Sequence, residues 1–266
     1  QDLYDMVHVD EKWFWLSRDG VCYLLAPGET PPKRTCKHKG YIQKVMFLCA
    51  QARPRRMPNG EWWDGKVGIW PIGHVGAAVR RSKYLQRGDP IWRNDNVDRE
   101  KYREIMIEKV LPAIVEKFPV SYLDRRRGVR IQQDGAKSHI PDDDDDFNDA
   151  VEELEVNVSL FTQPPNLPDL NINDLAFFRC IQALYYEAAP SDEFDLIAAV
   201  QDAYLAYPSI KINRMWISLQ TICNEIIDTH GSNEYSIPHM NKERLERENE
   251  LPTSIEVTAT AAQLFL

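Results

Sequence analysis

MVHVDEKWFWL, residues 6–16, alternates apolar and polar side chains and is rich in valine and aromatic residues. Such a pattern predicts a β-strand, and it places Asp10 in the middle of that strand. A carboxylate inside an otherwise apolar strand is unfavourable unless it is paired, exposed at a strand end or bound to a metal ion. Asp10 is therefore the first candidate site residue in the chain.

The residues that follow this strand predict further strands and then a long helix. Val21–Leu25 is a short apolar segment after a turn, and Tyr41–Ala52 is nearly continuous in apolar residues, which is typical of a strand covered on both faces. Lys66–Val75 predicts another strand. Asp98–Phe118 carries apolar residues at helical spacing, and Pro112 is expected to kink or divide that helix.

The second half of the chain alternates strands with helices. We expect strands at Val129–Gln133 and Val156–Thr162, with one helix between them at Asp146–Leu154 and another at Leu175–Tyr186. Residues 193–230 predict two more helices. Antiparallel-type strands followed by strand–helix alternation predict an α/β fold, a mixed five-stranded sheet with helices on both faces. This is the element order of the ribonuclease H-like fold.

Length and composition fit one substantial core. The chain has 266 residues, of which 43% are hydrophobic and 10% aromatic, as in ordinary soluble globular proteins. No stretch approaches the roughly 20 apolar residues that a membrane span needs, so no membrane association is expected. The five cysteines are widely spaced and form no CxxC pair, which argues against a disulfide framework or a zinc ribbon and favours a reducing compartment.

Two further aspartates lie at the ends of predicted elements. Asp134 directly follows the strand predicted at residues 129–133, and Asp174 directly precedes the next helix. Together with Asp10, they fall on the first strand, the end of the fourth strand and a late helix of the expected fold. Residue type alone leaves ordinary alternatives open, because an aspartate before a glycine is often a turn residue and one ahead of a helix is often its N-cap.

Three carboxylates that converge from distant parts of a chain suit phosphodiester chemistry. Cleaving a phosphodiester bond needs an activated water and a stabilised leaving oxygen, and two Mg²⁺ ions roughly 4 Å apart supply both. Mg²⁺ prefers carboxylate and water oxygens, and two divalent ions offset the repulsion among the carboxylates. The chemistry therefore requires that Asp10, Asp134 and Asp174 meet around two Mg²⁺ ions, for which Mn²⁺ can substitute.

The segments that carry these aspartates resemble the acidic motifs of mariner-like DNA transposases. They are VHVDEKWFWL at residues 7–16, VRIQQDGAKSHI at 129–140 and QPPNLPDLNINDLAFFRCIQ at 163–182. The 39 residues between the second and third aspartates resemble the spacing in the plant and oomycete branch of that family. KVMFLCAQARPR at 44–55 and GSNEYSIPHMNK at 231–242 also resemble that branch, and the resemblance extends from residue 4 to about residue 252.

The resemblance implies a metal-dependent transposase, a DNA endonuclease and strand transferase. Its expected reaction is cleavage at transposon ends, followed by joining of the free 3′-hydroxyl to target DNA. Asp10 would bridge the two metal ions, Asp134 would bind one of them and Asp174 the other. DNA as the partner, a homodimer and a location in the nucleus are implied in the same way.

The resemblance also divides the chain. We expect a ribonuclease H-like catalytic domain over residues 1–190 and a C-terminal helical extension with a tail, residues 191–266, packed on the same domain. Because the sequence begins at Gln1 rather than Met, we expect a fragment that lacks the N-terminal DNA-binding module of this family. Two other interpretations stay open: a domesticated, inactive DNA- or protein-binding derivative, and another ribonuclease H-like nuclease.

Asp169 is an alternative third acid. It is separated from Asp134 by 34 residues, and spacing alone admits it. The transposase pattern favours Asp174, because the catalytic acid in that pattern is the later one, ahead of an aromatic pair that is Phe177 and Phe178 here. We therefore expect Asp169 to be a loop residue that caps or braces the site.

Charge is distributed unevenly along the chain. The net charge of −9 argues by itself against a protein that coats nucleic acid, but residues 33–56 contain eight basic residues and no acidic one. Strand alternation places Lys12 and Glu11 on opposite faces, so we expect Lys12 near DNA and Glu11 pointing away. The expected DNA-binding residues are Lys12, Lys33, Arg34, Lys37, Lys39, Arg125 and His139. A solvated loop remains the alternative for the basic stretch, and a surface or helix-start histidine for His139.

Other conspicuous segments have ordinary explanations. GEWWDGKV at residues 60–67 matches G-x-x-x-x-G-K but has Val67 where a phosphate-binding loop needs Ser or Thr, so nucleotide binding is not expected. Its tryptophan pair could stack on DNA, although a loop anchor is the simpler interpretation. The run Asp142–Asp146 lacks the spaced ligands of a calcium loop and is expected to be solvated, and His8 is expected to be a packed core residue.

Overall fold

The computed structural model describes residues 2–16, 26–30, 42–81, 85–124, 128–232, 234–258 and 262. Within these ranges the strands are β1 (Met6–Trp15), β2 (Lys44–Ala52), β3 (Arg55–Arg56), β4 (Trp62–Trp63), β5 (Lys66–Pro71), β6 (Gly73–Ala77), β7 (Pro90–Asn94), β8 (Val129–Gln133) and β9 (Val158–Thr162). The helices are α1 (Arg99–Ile105), α2 (Leu111–Lys117), α3 (Val120–Leu123), α4 (Asp145–Glu153), α5 (Phe178–Ala188), α6 (Glu193–Ala206), α7 (Ser209–Asp228) and α8 (Lys242–Arg247). Shorter turns of 3₁₀ helix, Pro168–Leu170, and of π-helix, Met106–Val110 and Asn173–Phe177, join some of them.

A mixed sheet of five strands, in the order β5-β2-β1-β8-β9, forms the centre of the fold. β1 pairs antiparallel with β2, and β2 pairs antiparallel with β5. β8 runs parallel to both β1 and β9. As a result β1, β5, β8 and β9 all point the same way, and their carboxyl ends lie at one edge of the sheet. The predicted mixed five-stranded sheet is confirmed.

Helices cover both faces of this sheet, as predicted. Side chains alternate along β1, so that Val7 and Val9 enter a buried cluster with α1, α2 and α4. Phe14 faces the other way, into a second buried cluster that α5, α6 and α7 share with β2 and β5. The α5–α7 face therefore also receives Asp10, which is an even number of residues from Phe14.

The strand predicted at Lys66–Val75 is wrong in one respect, because it is two strands. β5 ends at Pro71, which has no N–H to continue the ladder. Ile72 is buried, and its N–H bonds to the carbonyl of Met46 at 2.7 Å. From Gly73 the chain enters a separate two-stranded hairpin formed by β6 and β7.

The helix predicted at Asp98–Phe118 is present and divided. Asp98 caps α1 by accepting a hydrogen bond from the N–H of Lys101 at 2.9 Å. The π-helical turn then widens the helix just before α2, whose first turn contains Pro112. A widened turn here accommodates a residue that cannot donate the usual backbone hydrogen bond. The strand predicted at Val21–Leu25 lies outside the described residues.

The C-terminal helices share the second buried cluster with the sheet. Leu196 and Val200 of α6 and Ile212 and Trp216 of α7 are fully buried there. The boundary expected at residue 190 stays a prediction. In the part of the chain that the structure describes, no helix has both the length and the apolar character that a membrane crossing requires.

Candidate active site

Asp10 and Asp174 touch each other at the sheet. Asp10 lies in the middle of β1 with 8% of its surface exposed, and its carboxyl group is within hydrogen-bond reach of the carboxyl group of Asp174. Burial raises the pKa of Asp10 to about 9, and the neighbouring carboxylates of Asp174 and then Glu11 act in the same direction. Two carboxyl groups this close share a proton when no cation lies between them. The pair is therefore a place where a cation can replace a proton.

The segment before the third acid is tied to β1 by three hydrogen bonds. Asn171 donates its side-chain amide to the carbonyl of Val9 at 2.9 Å. The N–H of Ile172 donates to Nδ1 of His8 at 3.0 Å, and the side-chain amide of Asn173 donates to the carbonyl of His8 at 3.1 Å. All three residues of this segment are buried. They fix the start of the helical turn that carries Asp174 against the strand that carries Asp10.

His8 is a packed core residue, as expected from the sequence. It is 1% exposed, and burial lowers its pKa to about 3, so the imidazole is neutral. Because Nδ1 accepts the hydrogen bond from Ile172, the ring proton is on Nε2. The ring lies edge-on to Trp216, with centroids 4.6 Å apart. His8 therefore positions the third acid and does not face the acids as a ligand.

Asp134 is held by His139 at the end of β8. Its carboxylate oxygen lies 2.8 Å from Nδ1 of His139 and also accepts the N–H of Ala136 at 2.9 Å. The hydrogen bond from His139 lowers the pKa of Asp134 below its usual value. Asp134 is consequently a carboxylate at neutral pH, and 44% of its side chain is exposed.

His139 bridges two carboxylates. Its Nε2 lies 3.1 Å from one carboxylate oxygen of Glu11, which β1 presents on the face opposite Asp10. Burial by itself lowers the pKa of His139, but the hydrogen bonds to Asp134 and Glu11 outweigh it and raise the pKa to about 10. The imidazole is therefore a cation with both N–H groups donated. Tyr102 stacks on it with centroids 4.2 Å apart, and the Tyr102 hydroxyl is buried without a hydrogen-bond partner in the described part of the chain.

A cavity of about 360 Å³ joins the second and third acids. Its lining includes Asp134, Asp174 and the loop 163–168. Asp174 thus contacts Asp10 and shares the cavity with Asp134. Among the described residues, no three acidic, histidine or cysteine side chains are yet close enough together to hold a metal ion.

The donor set nevertheless fits a hard divalent cation. All three side chains offer carboxylate oxygens, which Mg²⁺ and Mn²⁺ accept readily. Asp10 and Asp174 already touch, and the raised pKa of the buried Asp10 reflects the negative charge of its neighbours in the absence of a cation.

Asp169 has a different partner. Its carboxylate accepts a hydrogen bond from the hydroxyl of Tyr235 at 2.9 Å, and it does not line the cavity. This contact braces the loop ahead of the third acid, which agrees with the role expected for it.

Of the side chains expected to bind DNA, the structure places Lys12 and His139. The ammonium group of Lys12 lies 5.6 Å from the ring centre of Phe178, on the same face of β1 as Asp10. His139 contacts the two carboxylates described above and is 5% exposed, so it does not present a free surface to DNA. Lys33, Arg34, Lys37, Lys39 and Arg125 lie outside the described residues.

The other conspicuous segments have structural roles. Lys66 of the G-x-x-x-x-G-K match donates to the carbonyl of Leu205 at 2.5 Å and begins a strand, which a phosphate-binding loop does not. Trp62 donates its ring N–H to Ser209 at 2.9 Å, so it anchors its loop. In the acidic run, Asp144 is buried, caps α4 and binds Arg103 through two hydrogen bonds of 2.7 and 2.9 Å. The prediction that the acidic run is solvated is therefore wrong at Asp144.

Sequence reasoning missed Glu11 as a partner of His139 and the two asparagines that fix the third acid. Glu11 and His139 are 128 positions apart, so no local pattern relates them. Asn171 and Asn173 give a weak signal, since they flank a buried isoleucine directly before an acid. Two amides at alternate positions beside an apolar residue are a pattern that binds backbone carbonyls.

The sheet order and the acids at its edge define a ribonuclease H-like domain. Solved structures of the mariner transposase Mos1 share this fold. A pre-cleavage Mos1 transpososome superposes with a TM-score of 0.59 at 17% sequence identity, and the match covers 88% of this chain and 58% of that one. A Mos1 paired-end complex with Mn gives 0.57 at 17% identity, covering 87% and 57%, and one with Mg gives 0.54 at 17% identity, covering 86% and 56%.

These likenesses confirm the predicted fold, at the level of mariner transposase structures. The chain spans little more than half the length of the Mos1 chains it matches. No protein-family model matches the sequence, and no curated protein matches it either. The expected assignment to the plant and oomycete branch stays a prediction.

Proposed function

We propose that this chain is the catalytic domain of a mariner-type DNA transposase, in which Asp10, Asp134 and Asp174 are the metal-binding catalytic acids. One observation carries the proposal: Asp10 contacts Asp174, and Asp174 shares a cavity with Asp134, on a ribonuclease H-like sheet. The three residues come from β1, the end of β8 and the helical turn before α5. The transposase motifs require all three to meet at one metal site.

Each acid is prepared in a different way by its surroundings. Asp10 is buried in a strand and cannot move far, while Asp174 is pinned by the asparagine segment that precedes it. Asp134 is partly exposed and is bound by His139 and one backbone N–H. When bound, two divalent cations would activate the attacking water or sugar hydroxyl and stabilise the leaving oxygen. Asp10, Asp134 and Asp174 would hold these cations through their carboxylate oxygens.

The choice of Mg²⁺ or Mn²⁺ rests on the oxygen donors and on the likeness to Mos1 complexes that contain Mn or Mg. The substrates we propose are transposon ends and target DNA, with a homodimer as the working form and the nucleus as its location. The Mos1 structures include a paired-end complex and a strand transfer complex, and these support DNA as the partner.

Plasmid nicking tests the proposal directly. The 266-residue chain should nick supercoiled DNA in Mg²⁺ or Mn²⁺ and not in EDTA. Asp10→Asn, Asp134→Asn and Asp174→Asn should each lower the rate by about 100-fold or more, because each removes a charge that balances the cations. Asp169→Asn is the matched control from the same loop, and it should stay within a few-fold of the parent.

The outcomes separate the alternatives. Nicking that persists in all three acid variants would show that the site lies elsewhere. A parent chain that binds DNA but never nicks it would favour an inactive derivative. Nicking of RNA–DNA hybrids in preference to duplex DNA would favour another ribonuclease H-like nuclease.

A further inference from the structure

The β6–β7 hairpin leaves the sheet at the same edge as the acids. β5 runs in the same direction as β1 and β8, so its carboxyl end lies on the edge where Asp134 follows β8. The register gives the distance along the strands, because Asp10 lies opposite Cys49, which lies opposite Ile69, two residues before Pro71 ends β5. The hairpin therefore begins at the same level of the sheet as the residues just beyond Asp10.

The base of the hairpin is fixed to the sheet. Asn94 donates its side-chain amide to the carbonyl of Lys44 at 2.8 Å, and the N–H of Ile72 bonds to Met46. His74 contacts the carboxylate of Asp95 at 2.7 Å. These contacts orient the hairpin relative to the acidic site rather than leaving it as a free loop.

The outer part of the hairpin presents unpaired positive charge. Its described residues, 73–81 and 85–94, include four arginines and one aspartate. They therefore carry a net charge of +3 in a chain of net charge −9. The arginines are Arg80, Arg81, Arg87 and Arg93, and all are exposed. In the described part of the chain, no ion pair involves Arg80, Arg81 or Arg87.

The single aspartate of the hairpin serves the turn and not the arginines. The carboxylate of Asp89 accepts the N–H of Gln86 at 2.6 Å, and the N–H of Gly88 donates to the carbonyl of Ala78 at 2.9 Å. Gly88 has a φ of +95°, a left-handed conformation that glycine adopts without strain. This closed turn holds Arg87 outward at its corner.

We propose that the β6–β7 hairpin binds the sugar–phosphate backbone of duplex DNA beside the acidic site. This rests on the proposed function, for which it names a DNA-binding surface that the sequence does not single out. Arginine suits the role because its planar guanidinium group donates two parallel hydrogen bonds to phosphate. Backbone contacts of this kind carry no sequence information and set the position of the duplex. A hairpin fixed at its base can place a duplex over the edge that carries Asp10 and Asp134.

Salt-dependent binding of a short fluorescein-labelled duplex of mixed sequence, measured by anisotropy in EDTA, tests the proposal. The triple variant Arg80→Ser, Arg81→Ser, Arg87→Ser should bind about tenfold or more weakly at moderate KCl, and the slope of log K against log [KCl] should fall by about 2–3. The corresponding Arg→Lys triple variant should keep most of the slope, since it keeps the charges. The matched control is Lys109→Ser, Lys211→Ser, Arg247→Ser, three exposed basic residues away from the hairpin, which should bind as the parent does.

An unchanged slope in the hairpin variant, or an equal loss in the matched control, would overturn the proposal. So would a hairpin variant that loses self-association in sedimentation velocity while its DNA binding is intact, because the partner would then be a second copy of the chain. Thermal unfolding of all variants shows whether they are folded.

The DNA-binding measurement is independent of catalysis: Asp10→Asn should bind DNA through an intact hairpin. Hairpin-dependent binding without nicking would sink the proposed function alone, and nicking without hairpin-dependent binding would sink this inference alone.

Discussion

His139 is the residue on which the geometry of Asp134 depends most directly. It is 5% exposed and donates one N–H to Asp134 and the other to Glu11. Because Glu11 is next to Asp10 on β1, the imidazole links the second acid to the strand of the first acid. Tyr102 stacks on the ring and limits its rotation. The same pair also reaches the first acid, because the backbone N–H of Glu11 donates to the carboxylate of Asp10 at 2.8 Å.

Replacing one residue of the Glu11–His139 pair should lower the free energy of unfolding by more than the net stabilisation that the intact pair provides. Both side chains are nearly fully buried, so His139→Gln leaves Glu11 without its counter-charge, and Glu11→Gln leaves His139 with Asp134 as its remaining carboxylate partner. We expect each single change to lower the free energy of unfolding by about 2–3 kcal/mol. The double change should recover about 1 kcal/mol or more of the summed loss. Urea unfolding in EDTA measures the free energies of unfolding of the parent, the two single variants and the double variant.

Glu100→Gln is the control for this cycle, since Glu100 is an exposed acid on α1. It should change the stability by less than about 0.5 kcal/mol. Losses in the two single variants that simply add in the double variant would show that the two groups do not interact.

At the scale of elements, the segment Asn171–Asn173 decides where α5 begins. Its hydrogen bonds to the carbonyls of Val9 and His8 attach it to β1, the central strand of the sheet. The side-chain oxygen of Asn171 also accepts the N–H of Asn173 at 3.0 Å, which keeps the turn compact. These hydrogen bonds, and not the helix that follows, fix the position of the third acid.

Asn171→Ala should release the third acid from β1. The change removes two buried hydrogen bonds and leaves the carbonyl of Val9 unpaired, so we expect a loss of about 2 kcal/mol in the free energy of unfolding. Hydrogen–deuterium exchange should accelerate in peptides covering residues 165–178, and Mn²⁺ affinity should fall about tenfold, as is usual when the support of a metal ligand is removed. Glu187→Ala, an exposed change on α5, should alter neither. Faster exchange spread over the whole sheet would contradict a local effect of these hydrogen bonds on the third acid.

Elements were predictable where the hydrophobic pattern is regular. The strands of Asp10 and Asp134 and the helix Asp98–Phe118 follow from alternation and helical spacing, and the structure contains them. The split of Lys66–Val75 was not predictable in this way, because residues that favour strands continue past Pro71, while from Gly73 the chain pairs with β7 instead of β2. Propensity describes a residue's preference, whereas strand ends depend on distant partners.

Over the whole molecule, the three acids could be predicted from local sequence, whereas the residues that support them could not. The three acids could be proposed from motifs, since each stands in a recognisable local sequence. Their supports, Glu11 for His139 and the asparagines for the third acid, are contacts between residues more than 100 positions apart. Such contacts follow only from the folded arrangement of β1, β8 and α5, so one sequence cannot reveal them.

Arg53 joins distant parts of the chain at one point. It is 1% exposed, and its guanidinium group donates to the carbonyl of Asp2 at 2.5 Å, the carbonyl of Thr253 at 2.7 Å and the side chain of Asn213 at 3.0 Å. Burial lowers the pKa of Arg53 below its usual value. A guanidinium group taken out of water is tolerated only if its N–H groups are donated to acceptors, and here the acceptors come from both terminal segments and α7.

Arg53→Leu should therefore detach the C-terminal segment as well as weaken the core. Three buried hydrogen bonds from a charged donor disappear, and we expect the free energy of unfolding to fall by about 3 kcal/mol. Limited proteolysis should cut residues 250–258 faster, since Thr253 loses its anchor while the sheet stays folded. Arg56→Leu is the control, because Arg56 is exposed and bonds only to the nearby carbonyl of Gly60 at 2.9 Å. If both variants lose the same stability, or if the C-terminal segment stays protected in Arg53→Leu, then the other hydrogen bonds of that segment to α7, from Asn224 to the carbonyl of Glu256 and from the N–H of Ile255 to Gln220, hold it in place, and the guanidinium group does not.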